Sequence, residues 1–380
     1  MEFISIYNSI PYVVLILIFG ILALLNSKSK NIKNSVFIVL VIFLGLRGFV
    51  GTDFINYYRL YDTLPNPANF LNWYSDKEFY EIGFYFYSSL LKSVGASYEV
   101  WVFINALFDI TVLFWFLNKY SKCFYLSLCL FLIIGGQQFE FDLYRNAKAC
   151  FIYLLAIPYI KSRSFWKYNL IVLLAMSFHA SAAILWPLYY IGRINFSKRL
   201  AITVYLIICA IYFLRLFPTS FFIGFFTGAD GALINKLNGY LELQGEGYGL
   251  TFGFLEKSIV YWICVLCYRN LSIQSQDNIL FCNSYFIYFA LWYIFADIVV
   301  FVQRFPLLYS FSYWIVVPNA IYLANKSLKP ILKTFLIVFA ILKASAQYSL
   351  AIYKYDNQLW GIETYVVRRH IIERSGFYIK

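Results

Sequence analysis

The stretch FEFDLYRNAKACFIYLLAIPYIKSRSFWKYNLIVLLAMSFHASAAILWP, residues 139–187, holds two apolar runs with ionisable residues at or inside their edges. Arg145 and Lys148 open the first run, and His179 sits inside the second. Charge at membrane depth is costly, and residues that carry it there mark functional sites by default. Apolar runs recur along the chain at the roughly 17–25 residues that a spanning helix needs. The whole sequence is 62% hydrophobic, 22% aromatic and 13% charged, whereas soluble domains carry about 25% charged residues. This composition excludes an ordinary soluble enzyme and predicts an all-α polytopic membrane protein with no room for a separate soluble domain.

Working outward from that stretch, apolar runs at residues 10–25, 35–49, 99–117, 123–136, 143–160, 200–217, 254–268, 279–302, 305–324 and 331–350 predict spans. Residues 168–191 have basic residues at both ends, Lys161, Arg163 and Lys167 before and Arg193, Lys198 and Arg199 after. They are either a hairpin of two short helices turning at 177–181, with His179 at its outer tip, or a single span with a weak charge signal. The total is about 11–12 transmembrane helices in one integral membrane domain, residues 1–380. Two larger loops, about 50–98 and 218–253, fall outside. Within the first, residues 82–94 predict an interfacial amphipathic helix, because Lys92 interrupts the run and a full span would move the basic loop 161–167 outside. Glu2 precedes the first run without any Lys or Arg, which predicts an uncleaved first span with its N-terminus outside. The basic tail, 351–380, also falls outside. The net charge of +12 lies mostly in short loops, so it is a topology signal. It also suits anionic lipid or a diphosphate-linked substrate, and it does not point to nucleic acid.

No phosphate-binding glycine loop, zinc-protease or nucleophile-elbow pattern occurs. Two histidines exclude a multi-histidine metal site. Cys264 and Cys267 have CxxC spacing but no His or acidic neighbour, and are read as small apolar residues. What remains is Arg47, Asp53, Glu81, Arg145, His179 and Arg304, six residues from distant parts of the chain that the topology places at the outer face. Guanidinium forks bind phosphate oxygens in pairs and stay charged, so they could stabilise a leaving diphosphate without a metal. Asp53, Glu81 or His179 could take the proton from an attacking sugar hydroxyl. Each has a plainer alternative: arginines that snorkel at span ends, loop carboxylates in water, a histidine satisfied in the core. The 35 tyrosines and nine tryptophans could stack on sugars, or form an interfacial aromatic belt.

The motif Arg47-Gly-Phe-Val-Gly51-Thr52-Asp53-Phe-Ile-Asn56-Tyr57 resembles the opening motif of the EpsG/Wzy-like family of bacterial polysaccharide polymerases. Glu81-Ile-Gly83-Phe84, Arg145-Asn-Ala147-Lys-Ala149 and His179-Ala-Ser181-Ala with Pro187 resemble its next three elements. Arg304 and Pro318 are similar to its last marked positions. The resemblance runs over residues 46–318 in order. It departs at Lys148, where an apolar residue is usual, and finds no counterpart for the tail beyond Tyr353. It implies a GT-C-like fold of many membrane helices in the bacterial inner membrane, with its active site facing the periplasm or exterior. It implies transfer of a growing glycan from undecaprenyl diphosphate onto a new lipid-linked repeat unit, as in O-antigen or related surface polysaccharides. No nucleotide sugar or other cofactor is implied, and a chain-length regulator is an expected partner. On that resemblance His179, Asp53 and Arg145 are the catalytic candidates. Arg47, Tyr57, Glu81, Lys148, Ser181 and Arg304 are the substrate-binding ones. The rival readings are a lipid-linked oligosaccharide flippase, an O-antigen ligase and a membrane O-acyltransferase. Two long outer loops and the ordered motifs favour the polymerase.

Overall fold

The computed structural model describes residues 4–75, 81–216 and 249–375, and these are nearly all helical. They divide into two units. The first takes Met1–Ala183 and Ala324–Lys380, and the second takes Ile184–Leu323. The first unit contains α1 (Ile6–Leu24), α2 (Lys30–Gly45), α3 (Phe54–Thr63), α4 (Phe70–Ser75), α5 (Ile82–Ser93), α6 (Tyr98–Tyr120), α7 (Phe124–Phe131), α8 (Tyr144–Leu154), α9 (Ile157–Lys161) and α10 (Phe165–Phe178). The second contains α11 (Leu188–Ile191), α12 (Lys198–Phe213), α13 (Phe252–Gln274), α14 (Asp277–Ile294), α15 (Val299–Arg304) and α16 (Phe311–Leu323). The chain returns to the first unit for α17 (Leu328–Gln347) and α18 (Tyr365–Ser375). The molecule is an all-α polytopic membrane protein.

Helix starts follow capping chemistry. Ser29, Ser97, Ser197 and Thr251 accept the N–H of Ile32, Val100, Leu200 and Phe254, which satisfies one orphan donor in each first turn. Three stretches among the described residues are long and apolar enough to cross a membrane: Ile6–Leu24, Tyr98–Tyr120 and Phe124–Asp142. In α1 the outer face (Ile10, Val14, Leu17, Ile18, Ile21) is exposed. The opposite face (Tyr12, Ile16, Phe19, Ala23) is buried and packs on α17. Lipid is as apolar as these side chains, so close packing decides which face turns inward. Lys333 of α17 donates to the Ala23 carbonyl at 2.6 Å and to Asn26 Oδ1 at 2.6 Å, satisfying the open end of α1.

Several other expected spans are interrupted. The run 143–160 splits into α8 and α9, with Pro158 in the first turn of α9, a position where its missing N–H is harmless. The run 168–191 breaks at His179, whose backbone is extended (φ −157°, ψ 123°), and continues as a 3-10 turn, Ala180–Leu185. The run 123–136 continues to Asp142 through a wide, irregular coil in which Gly135 has φ +91°. Such backbone is tolerated at membrane depth only where protein encloses it, and here almost every residue is buried.

The described residues of the loop 50–98 include α3, α4 and α5. The segment expected as an interfacial helix is α5, which packs on α10 with Phe84, Tyr85, Ser88 and Ser89 buried. Residues 76–80 of this loop and 217–248 of the second loop lie outside the described residues.

In the second unit α13, α14 and α16 pack together. Asn278 of α14 accepts from Asn319 of α16 at 2.8 Å in a buried setting. Asn283 donates to the Ile191 and Ile194 carbonyls at 2.9 and 2.8 Å, tying the end of α11 to α14. Buried amides of this kind find partners because none is available from lipid.

Candidate active site

The site is organised around the N-terminal end of α8. Its first turn would leave N–H groups without partners, and an outside residue supplies the acceptor. Asp53 Oδ2 accepts from Tyr144 N–H at 2.9 Å. Thr52 donates to Asp142 Oδ1 through both its amide and its hydroxyl, each at 2.9 Å. Arg47 donates to the carbonyl oxygens of Leu44 and Glu140, and lies over the Phe141 and Tyr144 rings at 5.3 and 5.5 Å. The segment Arg47–Asp53 is thus a clamp on the turn that launches α8. Gly51 is required in it: its φ is +84°, and a Cβ there would lie 2.5 Å from the Phe141 carbonyl oxygen.

Residues from Ile352 onward complete the clamp. Gly51 N–H donates to the Ile352 carbonyl at 2.9 Å, Gly48 N–H to Asp356 at 3.2 Å, and Gln358 N–H to Leu46 at 2.8 Å. Tyr353 donates its hydroxyl to Asp142 Oδ2 at 2.8 Å. Burial, and then the Asp142 carboxylate, push this phenol well above its ordinary pKa, so it remains a donor. Arg368 of α18, itself buried, is held by Asp356 at 3.4 Å and Glu363 at 3.2 Å.

Behind the clamp lie two buried ion pairs. Lys148, one turn after Arg145 on α8, meets Asp109 of α6 at 2.6 Å and donates to the Asn105 carbonyl at 2.6 Å. Arg47 faces Glu140 at 3.7 Å. All four residues are at most 5% exposed, and they line a cavity of about 10 Å³. Charges buried so deeply are retained only when paired and hydrogen-bonded.

In front, Glu81 joins two parts of the chain. Its Oε2 meets Arg145 Nη1 at 2.7 Å, and its Oε1 meets His179 Nδ1 at 2.9 Å. Arg145 also donates to Tyr85 hydroxyl at 3.4 Å, and its guanidinium lies 6.0 Å from the Tyr57 ring, which stacks on Tyr144. Glu81 and His179 are 7% and 9% exposed, while the Arg145 side chain keeps 27% of its surface open. A carboxylate only accepts, so the proton between Glu81 and His179 belongs on Nδ1. In the neutral ring, Nε2 is then the basic nitrogen. The extended backbone at His179, which ends α10, turns the ring to Glu81. Ser181 follows in the 3-10 turn and donates to Asn146 Oδ1 at 3.5 Å.

A model of the EpsG family matches residues 30–357. The chain belongs to the EpsG family. Membership in the EpsG family carries a polysaccharide-polymerase role and a glycosyltransferase-like activity in general terms. No curated protein and no solved structure matches the chain. The EpsG match includes every candidate residue and ends at Asn357, which bridges to Arg47.

Of the candidates named from sequence, Arg145, Glu81 and His179 converge directly, with Tyr57 beside the arginine. Ser181 lies next to them through Asn146. Asp53, Arg47 and Lys148 surround the start of α8. Arg304 ends α15 in the second unit. Sequence reasoning passed over Asp109, Glu140, Asp142, Tyr85 and Tyr353. Asp109 has a signal, as the lone acid in the middle of the apolar run VFINALFDITVLFWF. Glu140 and Asp142 lie between the apolar runs 123–136 and 143–160, where no pattern singles them out.

Proposed function

We propose that this protein polymerises a surface polysaccharide in the bacterial inner membrane, with the Arg145–Glu81–His179 cluster as its catalytic centre, open to the outer face. The donor is a growing glycan on undecaprenyl diphosphate, and the acceptor is a lipid-linked repeat unit. A hydroxyl of the acceptor sugar attacks the anomeric carbon of the donor. The bond from that carbon to the diphosphate oxygen breaks, and the hydroxyl proton passes to His179 Nε2. Glu81 holds the ring by Nδ1 and stabilises the imidazolium that forms, as an orienting carboxylate does in other His-based catalysts. Arg145 neutralises the departing diphosphate with its open guanidinium edge. The observation that carries this reading is the single carboxylate shared by an accessible arginine and a histidine.

Asp53, expected as an alternative base, is assigned here to holding α8, because its carboxylate already accepts from Tyr144. Arg47 and Lys148 are assigned to positioning on the same ground, since their charges are consumed in buried pairs. Arg304 is proposed as a further substrate-binding guanidinium on its sequence position alone. The test is a gel of surface glycan from a deletion strain complemented with wild type, Arg145→Ala or His179→Ala at matched membrane levels. Collapse of the ladder to a single repeat unit supports a polymerase. Loss of all capped glycan would instead indicate a ligase or a flippase, and an unchanged ladder would remove the site assignment.

A further inference from the structure

The second unit holds a cavity of about 270 Å³ that the reaction above does not use. It lies between the first turn of α12 and the last third of α13. Phe196, Val265, Leu266 and Phe286 form apolar walls, and Lys198 and Arg269 are the two cations in its lining. Both cations are exposed, and neither forms an ion pair with a carboxylate among the described residues. Leu266 is 64% exposed, so one wall is open to the surroundings. Tyr268 also lines the cavity, but its hydroxyl is engaged: it accepts from Phe196 N–H at 3.3 Å and donates to the Ile194 carbonyl at 3.2 Å. The ring, not the hydroxyl, is therefore what an occupant meets.

Two cations at the mouth of an apolar, open-sided cleft match one class of molecule. A free phosphate has no use for the aromatic and aliphatic walls, and a neutral chain has none for the cations. Arg193 and Arg199 flank Lys198 in sequence, and by the charge rule this end of the unit faces the cytoplasm, where anionic lipid is enriched. A topology signal alone would need the charges but not the cleft.

We propose that this cleft binds an anionic phospholipid of the cytoplasmic leaflet. Its phosphate sits between the Lys198 ammonium and the Arg269 guanidinium, and one acyl chain lies along Phe196, Val265 and Phe286. The lipid ties the start of α12 to α13. This site stands apart from the reaction proposed above and holds whether or not that reading does.

The full chain, purified in detergent, is unfolded thermally in the presence of phosphatidylglycerol, phosphatidylcholine or inorganic phosphate. Phosphatidylglycerol is expected to raise Tm by roughly 2 °C or more, as a ligand confined to the folded state does. The other two additives are expected to leave Tm in place. Lys198→Gln/Arg269→Gln is expected to unfold as wild type without lipid and to lose the phosphatidylglycerol shift. An equal shift from phosphatidylcholine, a shift from phosphate alone, or a full phosphatidylglycerol shift in the double variant would each overturn the proposal. If the double variant does not fold, Arg269→Gln alone decides: a diminished shift supports the site, and an undiminished one removes it.

Discussion

Two charged clusters meet at α8, and they differ in what water can reach. Arg145 and Lys148 are three residues apart on that helix and close on its surface, yet they meet different partners. Arg145 points to Glu81 and keeps 27% of its side chain open, whereas Lys148 is sealed against Asp109 with 4% open. An ion pair that a substrate is to join needs an accessible edge. One that fixes a helix needs the opposite, because a dry pair tolerates no loss of a partner. The same residue types therefore form an open pair in one cluster and a sealed pair in the other.

This contrast can be broken by mutation. Arg145→Ala is expected to lower polymer synthesis by about 10²–10³-fold, the usual cost of removing one charge-stabilising donor, with the thermal unfolding of the purified protein little changed. His179→Ala belongs to the same class at about 10²–10⁴-fold. A large fall in Tm for either variant would mean that the open cluster is structural. Lys148→Met is expected to do the reverse. Leaving Asp109 buried without its partner costs about 3–5 kcal/mol, read as loss of folded protein in detergent. The pair Lys148→Met/Asp109→Leu should recover much of that stability, and failure to recover would show that Lys148 acts beyond its ion pair.

Smaller changes sharpen the picture at the clamp. Gly51→Ala combines a positive φ with a clash against Phe141 and is expected to cost about 1–3 kcal/mol. Activity should fall further than stability does, if the clamp sets the aim of Arg145. Tyr353→Phe removes one donor to a half-buried carboxylate and is expected to cost about 1 kcal/mol, measured as a modest shift in Tm. An unchanged Tm would mean that the segment after α17 is not part of the clamp.

The ordered motifs are legible in the sequence, but their division of labour is not. Arg47 and Arg145 look alike in sequence, each a lone arginine beside a membrane run. Only folding shows that Arg47 is spent on two carbonyl oxygens and Glu140, while Arg145 faces Glu81 with an open edge. Glu81 stands out in sequence as a candidate, but its pairing with His179, 98 residues away, appears only in the fold. The tail beyond Tyr353 has no counterpart in the motifs, since backbone pairing with residues 46–48 leaves no trace in residue type.

By itself, the sequence determined the class of molecule. Its apolar runs, sparse charge and basic loops require helices in a membrane, since each backbone polar group must be satisfied within its own segment. It also determined that rare ionisable residues at membrane depth would be the place to look, because their cost must be offset by a partner or a function. Only the tertiary structure decided which partner each one found. Pairing of charges depends on distances of a few ångströms between segments far apart in the chain, and residue order carries no record of those distances.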